Sequence, residues 1–185
     1  TRLITNKNIQ VGDRILGTPS SGIHANGISL VIKRALSLPE QFLTKLPNGN
    51  TLGEEALIPT CSYVRLIGAL LNAEIPLPAL LPATGGGVAK IAFDKRPFTY
   101  RVHTWATVPL LFQFLRELGV SLYDCLTTFN WGIGYYIFVP PYEVERTMQA
   151  AEKAGCDLME IGRVEDGRRK VVFEPENIVL PPPGE

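Results

Sequence analysis

The sequence predicts an α/β (α+β) fold: a mixed β-sheet with helices packed on it. Three observations carry that expectation. Residues 13–36 run from an apolar strand through a small-residue loop into a helical pattern. Residues 76–91 repeat the arrangement around three consecutive glycines. Strand-like and helix-like segments then alternate to the end of the chain.

Residues 13–18 read as a strand, followed by the loop Gly17-Thr18-Pro19-Ser20-Ser21-Gly22-Ile23-His24-Ala25-Asn26-Gly27. The next segment, residues 28–36, places Ile28, Val31, Ile32 and Ala35 at helical spacing. Turn residues such as Pro39, Pro47, Gly49 and Gly53 make 37–58 a loop with at most a short helix. A second helix spans 63–72, with Val64, Ile67, Leu70 and Leu71 on one face. An apolar segment from Pro76 leads into Thr84-Gly85-Gly86-Gly87 and a helix-like start at 88–91. Residues 98–102 alternate as a strand, and 108–118 and 122–128 read as helices. A glycine-punctuated lead-in at 129–134 opens a long apolar strand that stops at Pro140-Pro141. Residues 143–154 form a helix closed by Gly155, and 158–164 with 170–173 form the arms of a hairpin through Glu165-Asp166-Gly167-Arg168.

At 185 residues the chain suffices for one domain with a sizeable core. Residues 1–12 read as a linker from something upstream, 13–178 as the domain and 179–185 as a disordered proline-rich tail. The chain starts at Thr1 and reaches its first motif within a few residues, as a piece cut from a longer protein would. Apolar residues make up 45% and the formal net charge is zero, which excludes a disordered chain and a charge-driven nucleic-acid binder. Cys61, Cys125 and Cys156 form no Cys-x-x-Cys pair, so a reducing compartment is expected and a zinc site is not. The greasiest stretch, 66–83, is interrupted by Asn72, Glu74, Pro76 and Pro78, so a soluble, cytoplasmic protein without a membrane partner is expected.

The chemistry-bearing residues gather in the loops. Residues 20–27 combine a helix start with backbone amides and with Ser20, Ser21 and Asn26, a composition that suits a phosphate or carboxylate. On spacing alone, Ser and Asn here read first as helix caps and Gly17, Gly22 and Gly27 as turns. No Gly-Lys-Ser/Thr follows at P-loop spacing. The glycine triplet leaves a backbone that a ligand can approach closely, or a flexible turn. His24 and His103 are the only histidines, and no Ser-His-Asp order, metal-spaced pair or Gly-x-Ser-x-Gly elbow is present. The chain carries a binding half without an evident catalytic half, and its catalytic residues stay unassigned.

Residues 20–33 resemble the Ser-Ser-Gly-x-His-x-Asn-Gly-x-Ser-Leu-Val-x-Lys signature of the C-terminal domain of the aminoimidazole ribonucleotide synthetases, or phosphoribosylformylglycinamidine cyclo-ligases. Three further segments resemble that family in order: Leu57-Ile58-Pro59-Thr60 with Tyr63-Val64, Thr84-Gly85-Gly86-Gly87, and Thr128-Phe129-Asn130-Trp131-Gly132-Ile133-Gly134. The resemblance implies an α/β domain that follows an ATP-binding domain in an ATP-dependent ligase of purine biosynthesis. It implies that Ser20, Ser21, Gly22, His24, Asn26, Gly27, Thr84, Gly85, Gly86 and Gly87 bind a phosphorylated small-molecule substrate, with Asn130 ordering a loop. It also implies that ATP and Mg are held mainly by the N-terminal domain, that the full-length protein is a homodimer, and that this fragment alone is inactive. One segment departs: the family's Leu-x-Glu-Asn-x-Pro-Arg after the triplet is here Val88-Ala89-Lys90-Ile91-Ala92-Phe93-Asp94. That departure leaves room for a differently specific, or non-catalytic, binding or assembly relative.

Overall fold

The computed structural model describes residues 4–184. Seven strands form one sheet: β1 (Arg14–Pro19), β2 (Ala79–Pro82), β3 (Phe98–Val102), β4 (Ile133–Val139), β5 (Met159–Asp166), β6 (Lys170–Phe173) and β7 (Ile178–Leu180). Their order is β2-β4-β1-β5-β3-β6-β7, antiparallel throughout except where β3 runs parallel to β6. The helices are α1 (Ile28–Ala35), α2 (Leu52–Ala56), α3 (Val64–Asn72), α4 (Leu110–Glu117), α5 (Leu122–Thr128) and α6 (Val144–Lys153).

Alternation along the strands divides the core between the two faces of the sheet. Ile15, Tyr136, Phe138, Tyr100 and Val102 pack with α1, α2, α4 and α5. Leu16, Ile137 and Val139 point the other way, under α3 and α6. The α1 stripe is narrower than its apolar spacing predicts. Val31 and Ala35 are buried, whereas Ile28 and Ile32 remain 39% and 40% exposed. In α3, Leu66 and Leu70 meet the sheet and Val64 is 78% exposed, so the inward face is rotated from the expected one. Within 37–58, the short α2 is held by a capping box: Thr51 Oγ1 accepts the Glu54 N–H at 3.1 Å, and the Glu54 carboxylate accepts the Thr51 N–H at 2.6 Å.

Several expectations fail. The segments expected to form a hairpin do not pair, because β3 lies between β5 and β6: Thr99 opposes Glu165 on one side and Lys170 on the other. The connection crosses the end of β3, where Thr99 Oγ1 donates to the Arg168 carbonyl at 2.8 Å. Asp-Gly turn chemistry reads the same for a tight hairpin and for a crossing around a third strand. The tail expected to be disordered contributes β7, which pairs with β6 and buries Leu180; Pro182 beyond it is also buried. At the other end Ile9 is buried, and the Arg96 guanidinium donates to the carbonyls of Asn6, Lys7 and Ile9. The helix expected at 88–91 is a 3-10 turn, Val88–Ala92. Among the described residues, no helix is long and apolar enough to cross a membrane.

Candidate functional site

The first loop leaves the end of β1 and the glycine triplet leaves the end of β2. These strands are not neighbours, because β4 separates them. Since β4 is antiparallel to both, its lead-in, residues 129–132, arrives at the same end of the sheet. Three motif loops therefore meet there.

Two buried amides stitch them together. Asn130 donates through Nδ2 to the Gly22 carbonyl at 2.7 Å, and its Oδ1 accepts the Ser20 hydroxyl at 3.0 Å and the Gly132 N–H at 2.9 Å. Asn26 donates to the Ala83 carbonyl and accepts the Gly85 N–H, both at 2.8 Å. With these bonds made, Asn26, Ser20 and Asn130 are engaged inside the protein. The capping alternative is not realised either: Gly27 stands at the N-cap of α1 at φ +72°, with no side-chain cap. A Cβ there would overlap the Phe129 ring, so Gly27 is a packing glycine.

Ser21 is similarly tied. Its hydroxyl donates to the Pro59 carbonyl at 2.8 Å and accepts the Cys61 N–H at 3.0 Å, which joins the Pro59-Thr60 segment to the loop. Its own N–H donates to His24 Nε2 at 3.3 Å. His24 adopts φ +55°, a left-handed conformation that strains a side-chain-bearing residue. Burial alone lowers the His24 pKa. Among the described residues, the N–H groups of Gly22, Ile23, His24 and Ala25 have no partner. A hollow of about 330 Å³ borders His24, lined by Ile23, Ile28, Leu57 and Ile58.

The triplet's three glycines differ. Gly85, at φ +68°, faces open space, and its N–H is taken by Asn26. Gly86, at φ +86°, lies against Pro183 and the Lys90 stem. Gly87, at φ +58°, abuts the backbone of Leu126 and Thr127, where a Cβ has no room. The Gly86 and Gly87 amides are unpartnered among the described residues. The Lys90 ammonium reaches back to the Thr84 carbonyl, and burial lowers its pKa. Asp94, at the other end of the departing segment, is buried against Arg96 at 2.9 Å and accepts from Asn6 at 2.7 Å, so its role is structural.

The loop residues read from the sequence thus converge. Tyr63, which stands in one of the resembling motifs but was not among the expected site residues, also reaches the first loop. Its hydroxyl lies 3.4 Å from His24 Nε2 and 3.2 Å from the Pro19 carbonyl oxygen. His103 lies elsewhere, just past β3, its N–H donating to the Ile161 carbonyl. Among the described residues, no three His, Cys, Asp or Glu side chains gather as a metal set. The arrangement is one of amide donors, suited to holding an anion.

Residues 10–174 match the family model described as AIR synthase related protein, C-terminal domain. The chain belongs to that family. It is 38% identical over 179 residues to the phosphoribosylformylglycinamidine cyclo-ligase of Alkaliphilus oremlandii (strain OhILAs), covering 93% of this chain and 52% of that protein. It is 33% identical over 174 residues to the protein of the same name from Methanobrevibacter smithii, covering 92% and 51%. The chain therefore spans about half the length of the curated relatives it matches. Among solved structures, it resembles the hydrogenase maturation protein HypE at a TM-score of 0.66 and 20% identity, over 97% of this chain and 55% of that one. It also resembles PurL of T. maritima complexed with FGAR, at 0.55 and 17%, over 97% and 28%. At such identities these likenesses establish the fold.

Proposed function

We propose that this chain is the C-terminal domain of an ATP-dependent cyclo-ligase that closes the imidazole ring in purine biosynthesis. In the full protein, formylglycinamidine ribonucleotide and ATP would give aminoimidazole ribonucleotide, ADP and phosphate. The observation that carries the reading is the convergence of the family's motif loops at one end of the sheet, in a chain 38% identical to a cyclo-ligase over 93% of its length. The two clusters of free amides, at Gly22 to Ala25 and at Gly86 and Gly87, are the groups assigned to the anionic part of the substrate.

ATP and Mg belong mainly to the N-terminal half that the relatives' length implies, and the chain's own partner is that half. A HypE structure is described as being in complex with ATP, which supports nucleotide chemistry in proteins of this fold. No metal set gathers among the described residues, and the contribution proposed for this chain is to bind and orient substrate. The full protein is proposed to be a cytoplasmic homodimer.

A second reading, a relative of different specificity, is favoured by Lys90 alone: it puts a cation beside the triplet where the family pattern has an acid. The experiment uses the protein with its N-terminal half in place, supplied with formylglycinamidine ribonucleotide, ATP and Mg. Formation of aminoimidazole ribonucleotide with stoichiometric ADP supports the cyclo-ligase. ADP release with other phosphorylated amides only would support the second reading. The 185-residue chain alone is expected to release no ADP.

A further inference from the structure

The match to the family model ends at residue 174, so it assigns nothing to the segment that follows β6. That segment nevertheless returns to the site. β7 pairs antiparallel with β6, Leu180 standing opposite Val171, and both Leu180 and Pro182 are buried. Just beyond this anchor, Pro183 lies beside Gly86: a Cβ built on Gly86 would stand 3.4 Å from the Pro183 Cβ. Pro181 to Gly184 thereby pass α5 at Tyr123 and Thr127, one turn apart, and border a small hollow of about 160 Å³ whose other wall is Gly86 and Ala89.

Gly86 is the member of the triplet that depends on such a neighbour. Gly85 is fixed by the bond from its N–H to Asn26, and Gly87 abuts the backbone of Leu126 and Thr127. Gly86 makes no backbone hydrogen bond among the described residues; Pro183 and the Lys90 stem are what a Cβ there would meet. A glycine has more conformational freedom to lose than any other residue, so one held at φ +86° needs support from outside its own loop. Three consecutive prolines suit that task. Each fixes its own φ near about −65°, which makes the segment stiff before it is placed.

We propose that Pro181 to Pro183, anchored by β7, form a positioning strap for the glycine triplet. Pro183 holds Gly86 so that the open amides of Gly86 and Gly87 stay aligned for the anionic group of the substrate. The bracing rests on the contacts alone; its use in binding rests on the proposed reading of the triplet amides as an anion site.

The test compares the 185-residue chain with Pro183→Gly, Pro183→Ala and a chain ended at Leu180, each with its fold checked by circular dichroism. Backbone order parameters read the bracing, and titration with inorganic phosphate, followed at the amides, reads the binding. In the intact chain Gly86 and Gly87 are expected near the rigid value of about 0.85, and in Pro183→Gly and the shortened chain below about 0.6. The first-loop amides of Gly22 to Ala25 should stay as they were. Phosphate affinity should fall about tenfold, as when the competent loop conformation drops to about a tenth of the population. Pro183→Ala keeps the Cβ that faces Gly86 and should lie between. A triplet that stays equally rigid in Pro183→Gly overturns the strap, and that variant decides the matter should the shortened chain not fold. A loosened triplet with unchanged phosphate affinity refutes the positioning role while leaving the anion reading intact. Absence of any phosphate shift at Gly86 and Gly87 in the intact chain refutes the anion reading of the triplet and the positioning role with it.

Discussion

Asn26 and Gly85, 59 residues apart in sequence, are joined by a 2.8 Å hydrogen bond from the Gly85 N–H to the Asn26 side-chain oxygen. The same side chain donates to Ala83, so one buried amide ties the first loop to the glycine triplet. Asn26→Ala would leave a carbonyl and an N–H without their partner. The expected cost is about 2 kcal/mol, read as a lowered urea midpoint with an unchanged slope. Asn26→Asp should lie between, since it still accepts from Gly85. An unchanged midpoint in Asn26→Ala would show that the loops do not depend on this stitch.

The glycine triplet yields a graded series. Gly85→Ala meets nothing, and its φ of +68° costs roughly 1 kcal/mol. Gly86→Val, at φ +86° and against Pro183, should cost more, roughly 1–3 kcal/mol. Gly87→Ala collides with the backbone at Leu126 and Thr127 and should be the most damaging of the three. Melting temperatures check the order. Gly86→Val with full stability but weakened substrate binding in the full-length protein would assign Gly86 to the ligand and not to the turn.

The elements were legible where local pattern decides them. Residues 98–102 and 122–128 coincide with β3 and α5 as observed, since alternation in one and the Ser121 cap before the other are local signals. The partner of a strand is not local. Nothing near Gly167 announces that β3 will enter between β5 and β6. The same limit governs the site. Ser20, Asn26 and Asn130 stand out by motif, but their engagement with each other's loops depends on contacts up to 110 residues away. The approach of Tyr63 to His24 has no local signal, because only the fold brings the two together.

A pH dependence follows from Asp94. The hydrogen bond from the Arg96 guanidinium is the largest influence and holds the Asp94 carboxyl below its ordinary value, with burial opposing it. A group whose folded pKa is lowered contributes stability above its unfolded value. That contribution fades as pH falls through the lowered one. Stability is therefore expected to drop as pH falls below about 4. Asp94→Asn should be less stable at neutral pH by about 1–3 kcal/mol and should lose less on acidification. Equal acid sensitivity in both chains would place the response elsewhere.

The two amide clusters are proposed to receive the substrate's anionic group together. This is tested most directly by titrating the 185-residue chain with formylglycinamidine ribonucleotide and following backbone amides by NMR. Gly22, Ile23, His24 and Ala25 are expected to shift in step with Gly86 and Gly87, with one dissociation constant for both loops. Saturable binding that leaves both sets of amides unmoved, and shifts residues elsewhere, would contradict it.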